Sequence, residues 1–362
     1  MKVPEPCPWV MGIPAYVPGR SKEEIARAYG VSSPIKLASN ENPLGPSPMA
    51  VAAMREALTC CHLYPDPQAR ELCEAAAEYL GCSPDSVVAG NGSDEIIDLV
   101  CRAFLKPGDA VVIPGCTFSY YTIASRACGA VVRKAPMRGN GIDPEATADL
   151  AVPGTKMVFV ANPNNPTGSC LMKHEILRLI ERVPPDCVVL VDEAYAAFVR
   201  REGFSSSVGM IEAHPNVVCV HTLSKSHGLA GVRVGFAVAS PALREHLLRI
   251  KPPFNVNVLA QKAGAAALKD REFLARTLET TWNALDRLED AFTRLGLPYE
   301  PSQTNFVMVH IGKDAGRVYE ALLSRGIITR HMAGFGLPEH LRVSAGTPGE
   351  IDAFIEALGE VL

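Results

Sequence analysis

Residues 188–236 limit the folds open to this chain more than any other stretch: VVLVDEAYAAF, a connecting loop, and then, from residue 217, VVCVHTLSKSHGLAGVRVGF. Two apolar runs, 187–191 and 217–221, read as buried strands. The first ends on Asp192 and the second on Thr222, so polar side chains gather where two strands stop, which is where an open α/β sheet places its site. Ser224 and Lys225 follow at once, and Arg233 comes eight residues after Lys225, past Gly228 and Gly231. A carboxylate (Asp192), a phenol (Tyr195), a lysine and an arginine are thereby brought into a small volume. A lysine set between two apolar strands is partly withdrawn from water, holds its proton less tightly and becomes nucleophilic. Such a lysine can form a Schiff base with a carbonyl cofactor.

The chain's 362 residues suffice for one large domain and a smaller one. A formal charge of −4 with dispersed basic residues leaves no footprint for nucleic acid or an anionic membrane. The eleven cysteines form no CxxC pair, and Cys60 and Cys61 are adjacent, a poor spacing for zinc, so no metal site is expected. They read as thiols of a reducing compartment. The N-terminus, MKVPEPCPWVMGIPAY, is broken by prolines and lacks the apolar core of a signal peptide, and no stretch approaches the length of a membrane span. A cytoplasmic protein is expected.

Along the chain, residues 1–20 read as an extended proline-rich arm. SKEEIARAYG reads as a short helix with Ser21 as cap and Gly30 as stop. The loop ASNENPLG leads to a helix capped by Ser47 with Pro48 at its first position. CHLYPDPQ carries Tyr64 in a proline-bounded loop. SVVAGNGSDEIIDLV gives a strand, a glycine turn and a helix whose first turn, Ser93 to Glu95, offers backbone N–H groups to an anion. Gly90-Asn91-Gly92 is not a dinucleotide fingerprint, because Glu95 stands where the third glycine is needed. A further buried strand runs into NPNNPTG, and short strands near the C-terminus place Arg330 and Arg342 close to strand ends.

The constellation Asp192, Tyr195, Ser224, Lys225 and Arg233 resembles that of the pyridoxal-phosphate aminotransferases of fold type I. The resemblance implies an α/β fold, with a mostly parallel central sheet flanked by helices in a large domain and a smaller α+β domain. The expected division is an arm with part of the small domain over 1–45, the cofactor-binding domain over 46–255 and the small domain over 256–362. It implies pyridoxal 5'-phosphate as cofactor, held by Lys225 as a Schiff base, with Asp192 paired to the ring nitrogen to keep the ring an electron sink. It also implies that Tyr195 and Asn165 bond the ring's phenolic oxygen, that Phe118 stacks on the ring, and that Gly92, Ser93, Asp94, Ser224 and Arg233 cradle the phosphate. Lys225 would then move the proton from the substrate's Cα to the cofactor, which makes Lys225, Asp192 and Tyr195 the implied catalytic residues.

ASNENPLGPSP, YPDP, GNGSDE, NPNNPTG, VDEAY, TLSKSHGLAGVRVGF, GIITR and LRVSAGT, in that order across nearly the whole chain, are similar to the histidinol-phosphate aminotransferase family. This closer resemblance implies transamination of L-histidinol phosphate with 2-oxoglutarate by a homodimer with shared sites. Arg342 would bind the substrate phosphate, assisted by Arg330, Tyr16 and the Tyr64 of the other subunit, which also reaches the cofactor phosphate. Two positions depart from the pattern, Leu63 where arginine is common and His331 where proline is common, which takes one cationic contact from the subunit boundary. Aromatic aminotransferases and threonine-phosphate decarboxylase share the scaffold. A non-catalytic regulatory domain is disfavoured by the presence of the whole lysine constellation.

Overall fold

The computed structural model describes residues 3–15 and 19–362. Seven segments form one sheet: β1 (Val87–Gly90), β2 (Ala110–Pro114), β3 (Val131–Ala135), β4 (Thr155–Ala161), β5 (Val188–Asp192), β6 (Val217–Thr222) and β7 (Gly235–Ala239). Their spatial order is β1-β7-β6-β5-β4-β2-β3, and every pairing is parallel except the two made by β7. Strands β5 and β6 are buried at every position, the mark of a parallel sheet covered on both faces, and this is why they read as unbroken apolar runs. In the register, Asp192 lies between Ala161 of β4 and Val220 of β6, at the carboxyl edge of the parallel strands.

The sheet is covered by α1 (Pro48–Ala57), α2 (Arg70–Leu80), α3 (Ser93–Phe104), α4 (Tyr120–Ala127), α5 (Lys173–Arg182), α6 (Pro241–Ile250) and α7 (Val258–Lys269). Side chains alternate across a strand. Val189, Val191, Val217 and Cys219 therefore meet α2, α5 and α7, whereas Leu190, Val218 and Val220 meet α3, α4 and α6. A second core is built on α8 (Arg271–Arg294), the antiparallel strands β8 (Phe306–His310), β9 (Arg330–His331) and β10 (His340–Ser344), and helices Ala315–Ser324 and Pro348–Val361. Residues Ile35–Lys36 pair in parallel with Ile327–Ile328, which ties the segment before residue 46 to this second core.

Two features differ from the sequence reading. Helix α7, placed by that reading at the start of the smaller domain, packs on α1 and α2 in the core beneath the large sheet. Small residues permit the close approach: a Cβ on Gly264 would lie 2.7 Å from Leu72 Cδ1 and 3.1 Å from Val234 Cγ2. The N-terminal arm is not simply extended. It makes a 3-10 turn at Pro8–Val10, and Trp9 Nε1 donates a hydrogen bond to Ala127 O at the end of α4, 3.1 Å away. The expected caps form, Ser21 Oγ accepting from Glu24 N–H and Ser47 Oγ from Ala50 N–H. No helix among the described residues is long and apolar enough to cross a membrane.

Candidate active site

The carboxyl ends of β4, β5 and β6 open into a cavity of about 240 Å³. Ser93, Asp94, Phe118, Asn165, Asp192, Tyr195, Ser224, Lys225, Arg233, Arg330 and Arg342 all line it. Gly92 caps α3 just beneath, with φ +85°, and a Cβ there would stand 2.6 Å from Arg233 Nη2, so only glycine lets the arginine cross the helix terminus. Arg233 itself has φ 61°, an uncommon backbone for a non-glycine residue. That conformation aims its guanidinium at the first turn of α3, where Nη2 lies 3.2 Å from Asp94 Oδ2 and Nη1 3.5 Å from Ser224 Oγ. A helix N-terminus, a serine hydroxyl and a guanidinium thus converge at one end, the donor set that a phosphate monoester requires.

Asp192 is buried at the adjoining strand end. Its Oδ1 accepts from Ala194 N–H at 3.0 Å and its Oδ2 from the Tyr121 hydroxyl at 2.7 Å. Burial raises its carboxyl to about 6, and the two hydrogen bonds oppose that rise. A planar heterocycle with a protonated nitrogen would satisfy this carboxylate, and Phe118 supplies an apolar wall. Lys225 Nζ donates to Ser39 O at 3.3 Å and sits 6.0 Å from the centroid of the Tyr195 ring. Burial, and then the positive charge of Arg342, push its ammonium down to about 8. Phosphate cradle, nucleophilic lysine, aromatic wall and buried carboxylate together fit pyridoxal phosphate.

The second core completes the wall. Arg342, only 6% exposed, donates from Nη1 to Asn165 Oδ1 at 2.6 Å and from Nη2 to Ala38 O at 2.7 Å, with its guanidinium over the Phe306 ring. Asn40 Nδ2 donates to the Tyr195 hydroxyl at 2.9 Å, so the ASNENPLG loop does run across the cavity. Tyr64 is not brought there within one chain: it is 82% exposed and stacks on Phe254. Tyr16 lies outside the described residues.

Tyr121 and Asn40 were not singled out by the sequence reading. Tyr121 sits in an aromatic cluster with Phe118 and Phe159 and has the helical spacing of an ordinary core residue. Only its bond to a partner 71 residues away gives it a role. A hydrogen bond to a carboxylate favours the ionised form, so Tyr121→Phe should raise the Asp192 pKa further. A charged hydrogen bond of about 1.5–3 kcal/mol corresponds to roughly one to two pKa units. The acid limb of the kcat/KM profile is expected to move to higher pH by that amount, and an unmoved limb would leave Tyr121 a packing residue.

Residues 32–358 match the family described as Aminotransferase class I and II, and the chain belongs to that family. Its fold is that of the fold type I pyridoxal-phosphate-dependent enzymes. Over nearly its whole length it is similar to histidinol-phosphate aminotransferases: 42% identical to the one from Bdellovibrio bacteriovorus, with 98% of this chain and 97% of the relative covered, and 43% identical to the one from Symbiobacterium thermophilum, with 96% of each covered. Among solved structures, the histidinol-phosphate aminotransferase of Sinorhizobium meliloti in complex with pyridoxal-5'-phosphate superposes with a TM-score of 0.90 at 28% identity, covering 98% of this chain and 96% of that one.

Proposed function

We propose that this chain catalyses transamination between L-histidinol phosphate and 2-oxoglutarate with pyridoxal phosphate as cofactor, yielding imidazole acetol phosphate and L-glutamate. The observation that carries this reading is the division of arginines in one cavity. Arg233 sits with the helix terminus that suits the cofactor phosphate, while Arg330 and Arg342 enter from the second core and serve a second anion. The near full-length similarity to histidinol-phosphate aminotransferases supports the same reading.

When bound, pyridoxal phosphate supplies a carbonyl that takes up the donor's amine and a ring that accepts the electron pair left when the Cα–H bond breaks. This chain's residues do the rest. Asp192 holds the ring nitrogen's proton, Tyr195 and Asn165 bond the phenolic oxygen, and Ser93, Ser224 and Arg233 anchor the phosphate. Lys225, at a pKa near 8, is neutral to roughly a tenth at pH 7 and to about half at pH 8, and in its neutral form takes the proton from the donor's Cα through Nζ. Arg342 and Arg330 orient the donor through its phosphate and, in the second half-reaction, the dicarboxylate of 2-oxoglutarate.

Single-turnover spectra with histidinol phosphate, histidinol and phenylalanine test the reading. The visible band of the bound cofactor should decay fastest with the phosphate ester, and Arg342→Ala should cost about 2–5 kcal/mol of that preference, the scale of a lost buried charge pair. Equal rates for histidinol and its phosphate would remove the phosphate ester as substrate. Carbon dioxide release from a phosphorylated amino acid would favour the decarboxylase alternative.

The active unit in this proposal is a C₂ homodimer. Exposed Met49, Leu58, Leu63 and Tyr64 lie on α1 and the loop after it, an apolar surface that a second copy would cover while lending its Tyr64 to the neighbouring cavity. Mixing inactive Lys225→Ala with an inactivating Tyr64 variant should restore one working site per heterodimer. No recovery despite proven subunit exchange would argue for self-contained sites.

A further inference from the structure

The alternation that turns Asp192 and Thr222 toward the cavity turns their chain neighbours the other way. Glu193, Cys219 and His221 meet on the opposite face of the sheet, at 2%, 0% and 8% exposure, and nothing in the transamination chemistry uses them. His221 Nε2 lies 3.4 Å from Cys219 Sγ and 3.7 Å from Glu193 Oε2, and the three donor atoms fall within 4.8 Å of one another. The carboxylate distance is too long for a hydrogen bond. Bond lengths of about 2.3 Å to sulfur and about 2.0–2.1 Å to nitrogen and oxygen place the ligand atoms of a tetrahedral zinc ion roughly 3.3–3.6 Å apart. The observed spacings lie close to that range.

The surroundings also suit a metal. Glu193 is fixed by Ser207 N–H on Oε1 and by the Ser206 hydroxyl on Oε2, both at 2.6 Å, the kind of outer contact that orients a ligating carboxylate. The His221 ring is stacked on Phe236 with centroids 5.3 Å apart, which sets the direction of Nε2. Val191, Val217 and Phe236 of the adjoining core make the shell apolar. Thiolate, imidazole and carboxylate together match a borderline-soft divalent ion. We propose that Glu193, Cys219 and His221 form a site for one zinc-type divalent cation, behind the sheet and separate from the cofactor cavity.

Charge balances without further partners. Cys219 gives its proton to solvent as the metal–sulfur bond forms, so thiolate and carboxylate together cancel the charge of the ion, and His221 binds as the neutral imidazole. No oxidant or reductant takes part. The ion would brace the ends of β5 and β6, the two strands that carry Asp192 and lead into Lys225. No contiguous zinc motif announces the site, because its ligands come from one strand and the residue just past the end of another.

The holoenzyme, dialysed against a chelator, should take up one zinc ion per chain in competition with a chromogenic chelator. Zinc should also raise its melting temperature, as any ligand selective for the native state does. Cobalt in place of zinc should give an absorption band of thiolate-to-cobalt charge transfer. Cys219→Ser and His221→Asn should each weaken uptake by at least about 100-fold, beyond what loss of an outer-shell contact does. Both should abolish the thermal shift while the visible band of the bound cofactor reports an intact fold. Cys60→Ser/Cys61→Ser, which removes the exposed adjacent thiols, should leave uptake intact. Failure of the holoenzyme to bind zinc, or uptake equal in wild type and both ligand variants, would overturn the proposal. Should Cys219→Ser misfold, His221→Asn and Glu193→Gln carry the same decision.

Discussion

Lys225→Ala is expected to lower turnover by at least on the order of 10⁴-fold, the upper range for a positioned general base alone, because the same nitrogen also serves as nucleophile. Cofactor binding should weaken far less. The phosphate contacts proposed for Ser224, Arg233 and the first turn of α3 do not involve Lys225, and Asp192 stays in place. The measurement is therefore a split: cofactor retained on gel filtration, with turnover lost. Borohydride treatment of the wild-type holoenzyme should leave the pyridoxyl group on Lys225, and its recovery on Lys251 or Lys262 would overturn the assignment. The lowered pKa adds a pH signature. With Nζ near 8 in the structure described, its neutral fraction grows as pH rises from 6 to 8, and the rate of cofactor uptake should rise with it.

Asp192→Asn keeps the shape of the strand end and removes the charge. Loss of a preorganised charge of this kind costs on the order of 10²–10³-fold in kcat. Proton removal from Cα should slow by that factor, and a substrate deuterated at Cα should then show a larger isotope effect on kcat. The amide can still meet Tyr121 and Ala194, so the fold and the melting temperature should change little. An Asp192→Asn enzyme with near-normal kcat and a merely weakened hold on the cofactor would make this residue structural and would remove the electronic role assigned to it.

Lys225, Asp192, Tyr195 and Arg233 were legible because they sit within two strand ends and the turn after them, where a buried apolar run makes any polar residue conspicuous. The turn at Gly92 to Asp94 beside the cavity was legible for a similar reason, a glycine turn between a strand and a helix. Tyr121 was not, since a phenol on the inner face of an amphipathic helix looks like packing until its partner is known. The place of α7 was hidden by composition: a helix rich in alanine carries little information about which core it joins, and only its fit against Leu72 and Val234 decides. Tyr64, which the resemblance implied would act in the other subunit's cavity, is 82% exposed and stacks on Phe254, outside the cavity of its own chain.

Asn40 connects the two cores through all four of its polar groups. Its backbone N–H donates to Ser344 Oγ, its Oδ1 accepts from the same hydroxyl, its carbonyl accepts from Asn305 Nδ2, and its Nδ2 donates to the Tyr195 hydroxyl. Ser344 ends the strand that carries Arg342, and Tyr195 follows the strand that carries Asp192. Any coupling that such a shared contact carries between bound groups is reciprocal. If an anion at Arg342 and a ring oxygen at Tyr195 each pull on this one asparagine, the affinity of either changes with the presence of the other by the same factor.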